Sequence, residues 1–219
     1  MGGRFWGRSW RPIVGIAAVL AACLAGPASA ELKYTTTYKD HLVEGATPVA
    51  VWQYMTRNPI KDPDDGPALA NITHAHKLTF ATASDKGVCK VTKLDFNWNF
   101  VITLPKAVDQ AKMSPATSGM WQEFLAKARW HEMHRLALFL DCGHAFVPAA
   151  EKLTAPTCFG LDYKVRRYVD DQYTACMKKQ RDFGVADGPS VARLRLIRTA
   201  KAALATPETP PTTTADKSH

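Results

Sequence analysis

The first 30 residues contain no acidic side chain. Nor does the chain carry the run of roughly 20 apolar residues that a membrane-spanning helix needs. Its longest such run, Ile13 to about Ala25, falls short. The cysteine spacings do not resemble zinc-cysteine motifs. No basic stripe is interleaved with aromatics, and no segment repeats. These absences argue against a membrane-spanning helix in the mature chain, against the cysteines as metal ligands and against a nucleic-acid partner.

The acid-free N-terminus carries Arg4, Arg8 and Arg11, then the short apolar run, then Ala28-Ser29-Ala30. A positive segment, a short apolar core and a small-residue cleavage site together predict a secretory signal over residues 1–30. The expected product is periplasmic or secreted and has no transmembrane helix. Leu20-Ala21-Ala22-Cys23 offers an alternative, a lipobox that would anchor Cys23 to a membrane. The whole chain has 28 basic and 20 acidic residues. Removing three arginines leaves 25 − 20 = +5, a moderate excess that suits an anionic envelope and points to no nucleic-acid partner.

Four cysteines follow the signal: Cys89, Cys142, Cys158 and Cys176. An even number in an exported chain predicts two disulfides. Cys158 and Cys176 fall at opposite ends of one expected helix, roughly 27 Å apart at 1.5 Å per residue. That is too far for a bridge, so two of the three possible pairings remain.

Strands dominate the first half. Tyr34–Val43 and Ile72–Ala83 read as strands, and Thr47-Pro48 as the capped start of a short helix. Residues 58–67 read as loop, and residues 84–87 as a turn. From Leu94 to Leu104 apolar and polar residues alternate, as on a half-buried strand that Pro105 ends. After residue 117 the period is helical. One long helix is capped by Ser118, runs past Leu140 and is kinked or ended by Pro148. A second covers about residues 160–181, and a shorter basic one about 190–203. Strands before helices predict an α+β fold, a small antiparallel sheet of three or more strands packed on the long helix, with the second helix completing a helical hairpin. The expected divisions are the signal at 1–30, the main domain at 31–185, a basic helical segment at 186–205 and a disordered Pro/Thr-rich tail at 206–219.

The candidate chemistry is Trp130-His131-Glu132-Met133-His134-Arg135. Two imidazoles and a glutamate on one helix outline a zinc hydrolase site, in which the imidazoles hold Zn²⁺ and the carboxylate takes a proton from a bound water. The usual spacing is H-E-x-x-H. Here the histidines are three apart and Arg135 takes the fourth place. At about 100° per residue, Glu132 and Arg135 fall in the core-facing stripe with Trp121, Phe124 and Phe139. His131 lies on the stripe's edge and His134 roughly 60° beyond. Glu132 and Arg135 can instead pair as an ion pair under the helix. His144, Glu151, Asp170 and Asp171 are conceivable further ligands, and His74 with His76 a weaker metal pair.

Several pieces recur in order: Tyr38, Val43-Glu44-Gly45-Ala46-Thr47, Gly66-Pro67, Gly87-Val88-Cys89-Lys90-Val91, Leu104-Pro105, Trp121-Gln122-Glu123-Phe124, His131-Glu132, Cys158, and Cys176 with Gln180-Arg181-Asp182-Phe183. Over about residues 34–185 this resembles a bacterial family described as predicted secreted zinc-dependent proteases. The resemblance implies His131 as first metal ligand and Glu132 as general base. His134 carries over only if one residue is deleted; otherwise Arg135 stands at the second ligand position. The expectation is a secreted or periplasmic zinc metallopeptidase acting on a peptide or protein substrate, with Arg135 stabilising an oxyanion or disabling the base. The alternative is a catalytically inactive envelope protein of the same fold that binds a partner or serves a structural role.

Overall fold

A computed structural model describes residues 30–62 and 66–206. Residues 1–29 of the signal segment, Cys23 among them, and nearly all of the C-terminal tail lie outside those residues. Strand β1 is Ala30–Val43, helix α1 Pro48–Arg57, β2 Ile60–Asp62, β3 Gly66–Ala68, β4 Asn71–Asp85 and β5 Val88–Ala107. A single 3₁₀ turn precedes α2, Pro115–Glu151. Then come β6, Thr154–Ala155, α3, Cys158–Ala192, and α4, Arg195–Ala205.

The alternating segment is the centre of the sheet. Leu94, Phe96, Trp98, Phe100, Ile102 and Leu104 are all buried on one face of β5. That strand pairs with β4 on one side and β1 on the other. The hairpin to β4 is antiparallel, and Lys86 and Gly87 turn it with positive φ. The sheet is mixed rather than wholly antiparallel, because β1 runs parallel to β5, from Ala30 opposite Leu94 to Val43 opposite Ala107. Strand β5 also continues through Pro105. Its pairing with β4 stops at Asn71 opposite Thr103, so Pro105 lies where β5 has only β1 beside it. Proline is tolerated on such a local edge. The stretch expected as loop forms the two-stranded pairing of β2 with β3.

Helix α2 lies on the buried face. Ser114 caps it by accepting from the Thr117 amide at 3.1 Å, four residues earlier than the expected cap at Ser118, and Pro115 takes the first turn. Pro148 neither breaks nor ends it, being in the last turn of a helix that closes at Glu151. A side chain on Gly143 would come within 2.8 Å of Trp98 and 2.9 Å of Leu32, so the glycine sets how close α2 sits to the sheet. Helix α3 is longer than the expected 160–181 and runs on through Gly184, Gly188 and Pro189. It packs along α2 as the second arm of a helical hairpin.

Both disulfides form: Cys89–Cys158 with Cα atoms 5.1 Å apart, and Cys142–Cys176 at 6.0 Å. The first follows from β6, which pairs with Cys89 and Lys90 just before α3 begins. The second ties α2 to α3 across the hairpin. The apolar residues divide into two clusters. One lies between the sheet, α2 and α3. The other gathers α1, α4 and the start of α2 around Trp121, Phe124 and Leu196. No helix among the described residues is long and apolar enough to cross a membrane.

Candidate functional site: a cavity beside the His-Glu helix

Where the two clusters meet, α2, α3, the β3–β4 connection and the residues before α4 enclose a cavity of about 510 Å³. Its walls are mostly apolar and include Leu69, Phe124, Ala128, Val191 and Leu194. Its polar groups are Lys127, His131, Glu132, Arg135 and Arg181. The candidate helix therefore presents three of its four singled-out side chains to one space.

Burial follows the helical wheel. Glu132 and Arg135 are 1% and 5% exposed, and the helix is continuous from His131 to Arg135. Without a bulge, the position four residues beyond His131 is Arg135. Its guanidinium Nη1 lies 3.8 Å from Glu132 Oε2. The buried Gln180 holds it from α3: Gln180 Nε2 donates to the Arg135 carbonyl at 2.9 Å, and Arg135 Nε reaches Gln180 Oε1 at 3.4 Å. His134 is exposed, lies outside the cavity lining and stacks against Trp130 and Phe183, with ring centroids 5.4 and 4.4 Å away.

His131 is held by a residue that the sequence reading missed. Asp187, on α3, lies 2.7 Å from His131 Nδ1 through Oδ2. Its Oδ1 accepts from Lys127 Nζ at 2.6 Å and from Ser190 Oγ at 2.7 Å. Burial pushes the Asp187 carboxyl up, but donation from Lys127, His131 and Ser190 outweighs it and holds the group at about 2. The His131 imidazole is pushed down by burial, against the opposing pull of the Asp187 carboxylate. At neutral pH Asp187 is ionised and acts only as an acceptor, so Nδ1 carries the imidazole proton and Nε2 the lone pair.

Both shifts have the same sign for stability. A base whose folded pKa is lowered, and an acid whose folded pKa is lowered, each favour the fold at high pH and lose that contribution as protons bind. Unfolding free energy is expected to fall as pH drops below about 6.5 through His131. It should fall again between about 4 and 2 through Asp187, by about 2 kcal/mol. Urea titrations of the parent and Asp187→Asn from pH 8 to 2.5 check this: the variant should lack the lower step. A lower step that persists in the variant contradicts it.

Orientation of an imidazole by a carboxylate on its other nitrogen is also how metal-bound histidines are held. A zinc ion still needs two further protein ligands. Among the described residues no three histidine, cysteine, aspartate or glutamate side chains are grouped to hold a metal. The position that resemblance assigns to the second imidazole carries a guanidinium. His144, Glu151, Asp170 and Asp171 do not line the cavity. His74 bonds to the Tyr173 hydroxyl at 2.7 Å, and His76 stacks on Phe96 with ring centroids 5.3 Å apart, so both are used in packing against β5 and α3. The residues present do not fit a zinc centre.

Two further residues in the cavity wall belong to α3. Gly184 and Gly188 are one helical turn apart, and a Cβ on either would meet nothing within 4 Å. A mid-helix glycine costs about 1 kcal/mol relative to alanine. No close packing explains this pair, yet the missing side chains keep that wall of the cavity open.

A mixed sheet covered by a disulfide-tied helical hairpin, with a cavity beside a buried Glu132–Arg135 pair, defines an α+β domain. Residues 38–187 match a family of bacterial proteins of unknown function, DUF922, and the chain belongs to that family. It matches no curated protein and no solved structure.

Proposed function

We infer that the protein is an exported, catalytically silent binding module whose ligand enters the cavity between α2 and α3. Arg135 carries this reading. Its guanidinium is buried at the place where the resemblance puts a second metal-binding imidazole, within ion-pair distance of the Glu132 carboxylate. A glutamate beside a fixed cation has lost the free base that a metallopeptidase needs. The cation supplies a positive charge at the site without a metal. Export is supported by the N-terminal signal pattern and by two disulfides, which persist in oxidising compartments.

The rival is a zinc metallopeptidase with His131 and His134 as ligands. Its support is the carboxylate-oriented His131. Against it stand the exposed, stacked His134 and the want of a third ligand among the described residues. The test is cleavage of a mixed peptide library by the mature protein, with and without 1,10-phenanthroline. No chelator-sensitive cleavage is expected. Cleavage abolished both by the chelator and by Glu132→Gln overturns the inference.

A further inference from the structure

We propose that the cavity binds an amphiphile with one carboxylate head and an unbranched apolar chain, the head at Arg181 and the chain along Gly184 and Gly188. This rests on the reading of the domain as a binding module and adds the class of ligand.

The charges select the head. Lys127 is taken by Asp187 at 2.6 Å. Arg135 faces Glu132. Burial keeps His131 on its neutral side. Arg181, also in the wall, makes no ion pair with any carboxylate among the described residues. One cation of the lining without an acidic partner among the described residues matches one anionic group. A guanidinium with its fork unpaired suits a carboxylate, which it can grip with two parallel hydrogen bonds.

The walls select the chain. Apart from the charged groups the lining is aliphatic or aromatic, and about 510 Å³ is within the range of small-ligand pockets. Gly184 and Gly188 present bare backbone along one wall, with nothing within 4 Å of where their Cβ atoms would be. A slender chain can lie in that trough, whereas a branched or ring-bearing ligand would press on the helix. At the rim Val185 is 80% exposed, an apolar contact for the part of a chain that emerges.

The experiment is calorimetric titration of the disulfide-intact mature protein with dodecanoate and with dodecanol, with zinc content measured on the same preparation. Dodecanoate should bind with Kd below about 100 μM and a negative heat-capacity change. Dodecanol should bind at least about tenfold more weakly, for want of the charge-assisted bonds. Arg181→Ala should weaken dodecanoate about tenfold, leave dodecanol unchanged and leave Tm unchanged. Gly184→Leu with Gly188→Leu should act in opposite senses on the two readouts. Tm should rise by a few degrees, because leucine is the better helix former. Dodecanoate affinity should drop at least about tenfold, because the trough is filled. No binding of dodecanoate at 1 mM, or equal binding of the alcohol, overturns the proposal. A zinc-free protein that ignores dodecanoate defeats the ligand assignment but not the reading as a silent module. A protein that holds zinc stoichiometrically and binds dodecanoate defeats that reading and keeps the ligand.

Discussion

Arg135→Ala is expected to destabilise the fold by about 3–5 kcal/mol, the usual cost of removing one partner of a buried ion pair. The partner is Glu132, whose side chain is 2% exposed against 7% for Arg135. Removing the guanidinium also leaves Gln180 Oε1 without its donor from α2, at the contact that joins α2 to α3. The remedy distinguishes a charge effect from lost packing. Glu132→Gln combined with Arg135→Met removes both charges while keeping volume, and should return to within about 1 kcal/mol of the parent, since buried pairs are often replaceable by uncharged residues of similar size. Urea unfolding of the parent, Glu132→Gln, Arg135→Met and the double variant gives the coupling. If Arg135→Ala alone costs less than about 1 kcal/mol, the guanidinium is not the cation on which this site depends.

The second large effect is expected from the disulfides. They close loops of 69 and 34 residues, and the chain-entropy relation assigns each about 4 kcal/mol. Cys89→Ala with Cys158→Ala removes the covalent tie between the start of α3 and the sheet, leaving the two-residue β6 pairing and the packing of Leu161 and Val165 in the core. Cys142→Ala with Cys176→Ala frees the middle of the α2–α3 hairpin. That hairpin fixes Asp187 against His131 and Gln180 against Arg135. Each double variant should show a lower urea midpoint, and the 142/176 variant should also lose the acid step assigned to Asp187. If both doubles keep the parent midpoint under oxidising conditions, the bridges contribute nothing to the fold.

The strand Leu94–Leu104 and the core stripe of α2 were readable in the sequence because each writes its period in its own residues. The alternation of β5 shows which face is buried, and the wheel puts Glu132 and Arg135 inside and His134 outside. What the sequence hid depends on distant partners. Nothing local tells β1 to run parallel to β5. The cysteine pairing needed the placement of β6 and the antiparallel course of α3. The largest omission was Asp187. It has a definite physical origin. Gly184, Gly188 and Pro189 are helix-disfavouring residues, so the periodic signal of α3 fades near Arg181. The helix in fact runs to Ala192, held in part by its packing on α2. Had it been extended, Asp187 and Gln180 would have fallen seven residues apart, two turns along one face, both turned toward the His-Glu helix.

The resemblance implies a metal on the helix of His131 and Glu132, and the side chains grouped there do not fit one. The difference rests on one residue, arginine in place of histidine four positions beyond His131. Metal analysis of the purified mature protein, prepared without chelators and equilibrated with zinc before exhaustive dialysis, tests that difference most directly, with His131→Ala as control. Less than about a tenth of an equivalent of zinc is expected in both proteins. About one equivalent in the parent, lost in His131→Ala, would contradict it.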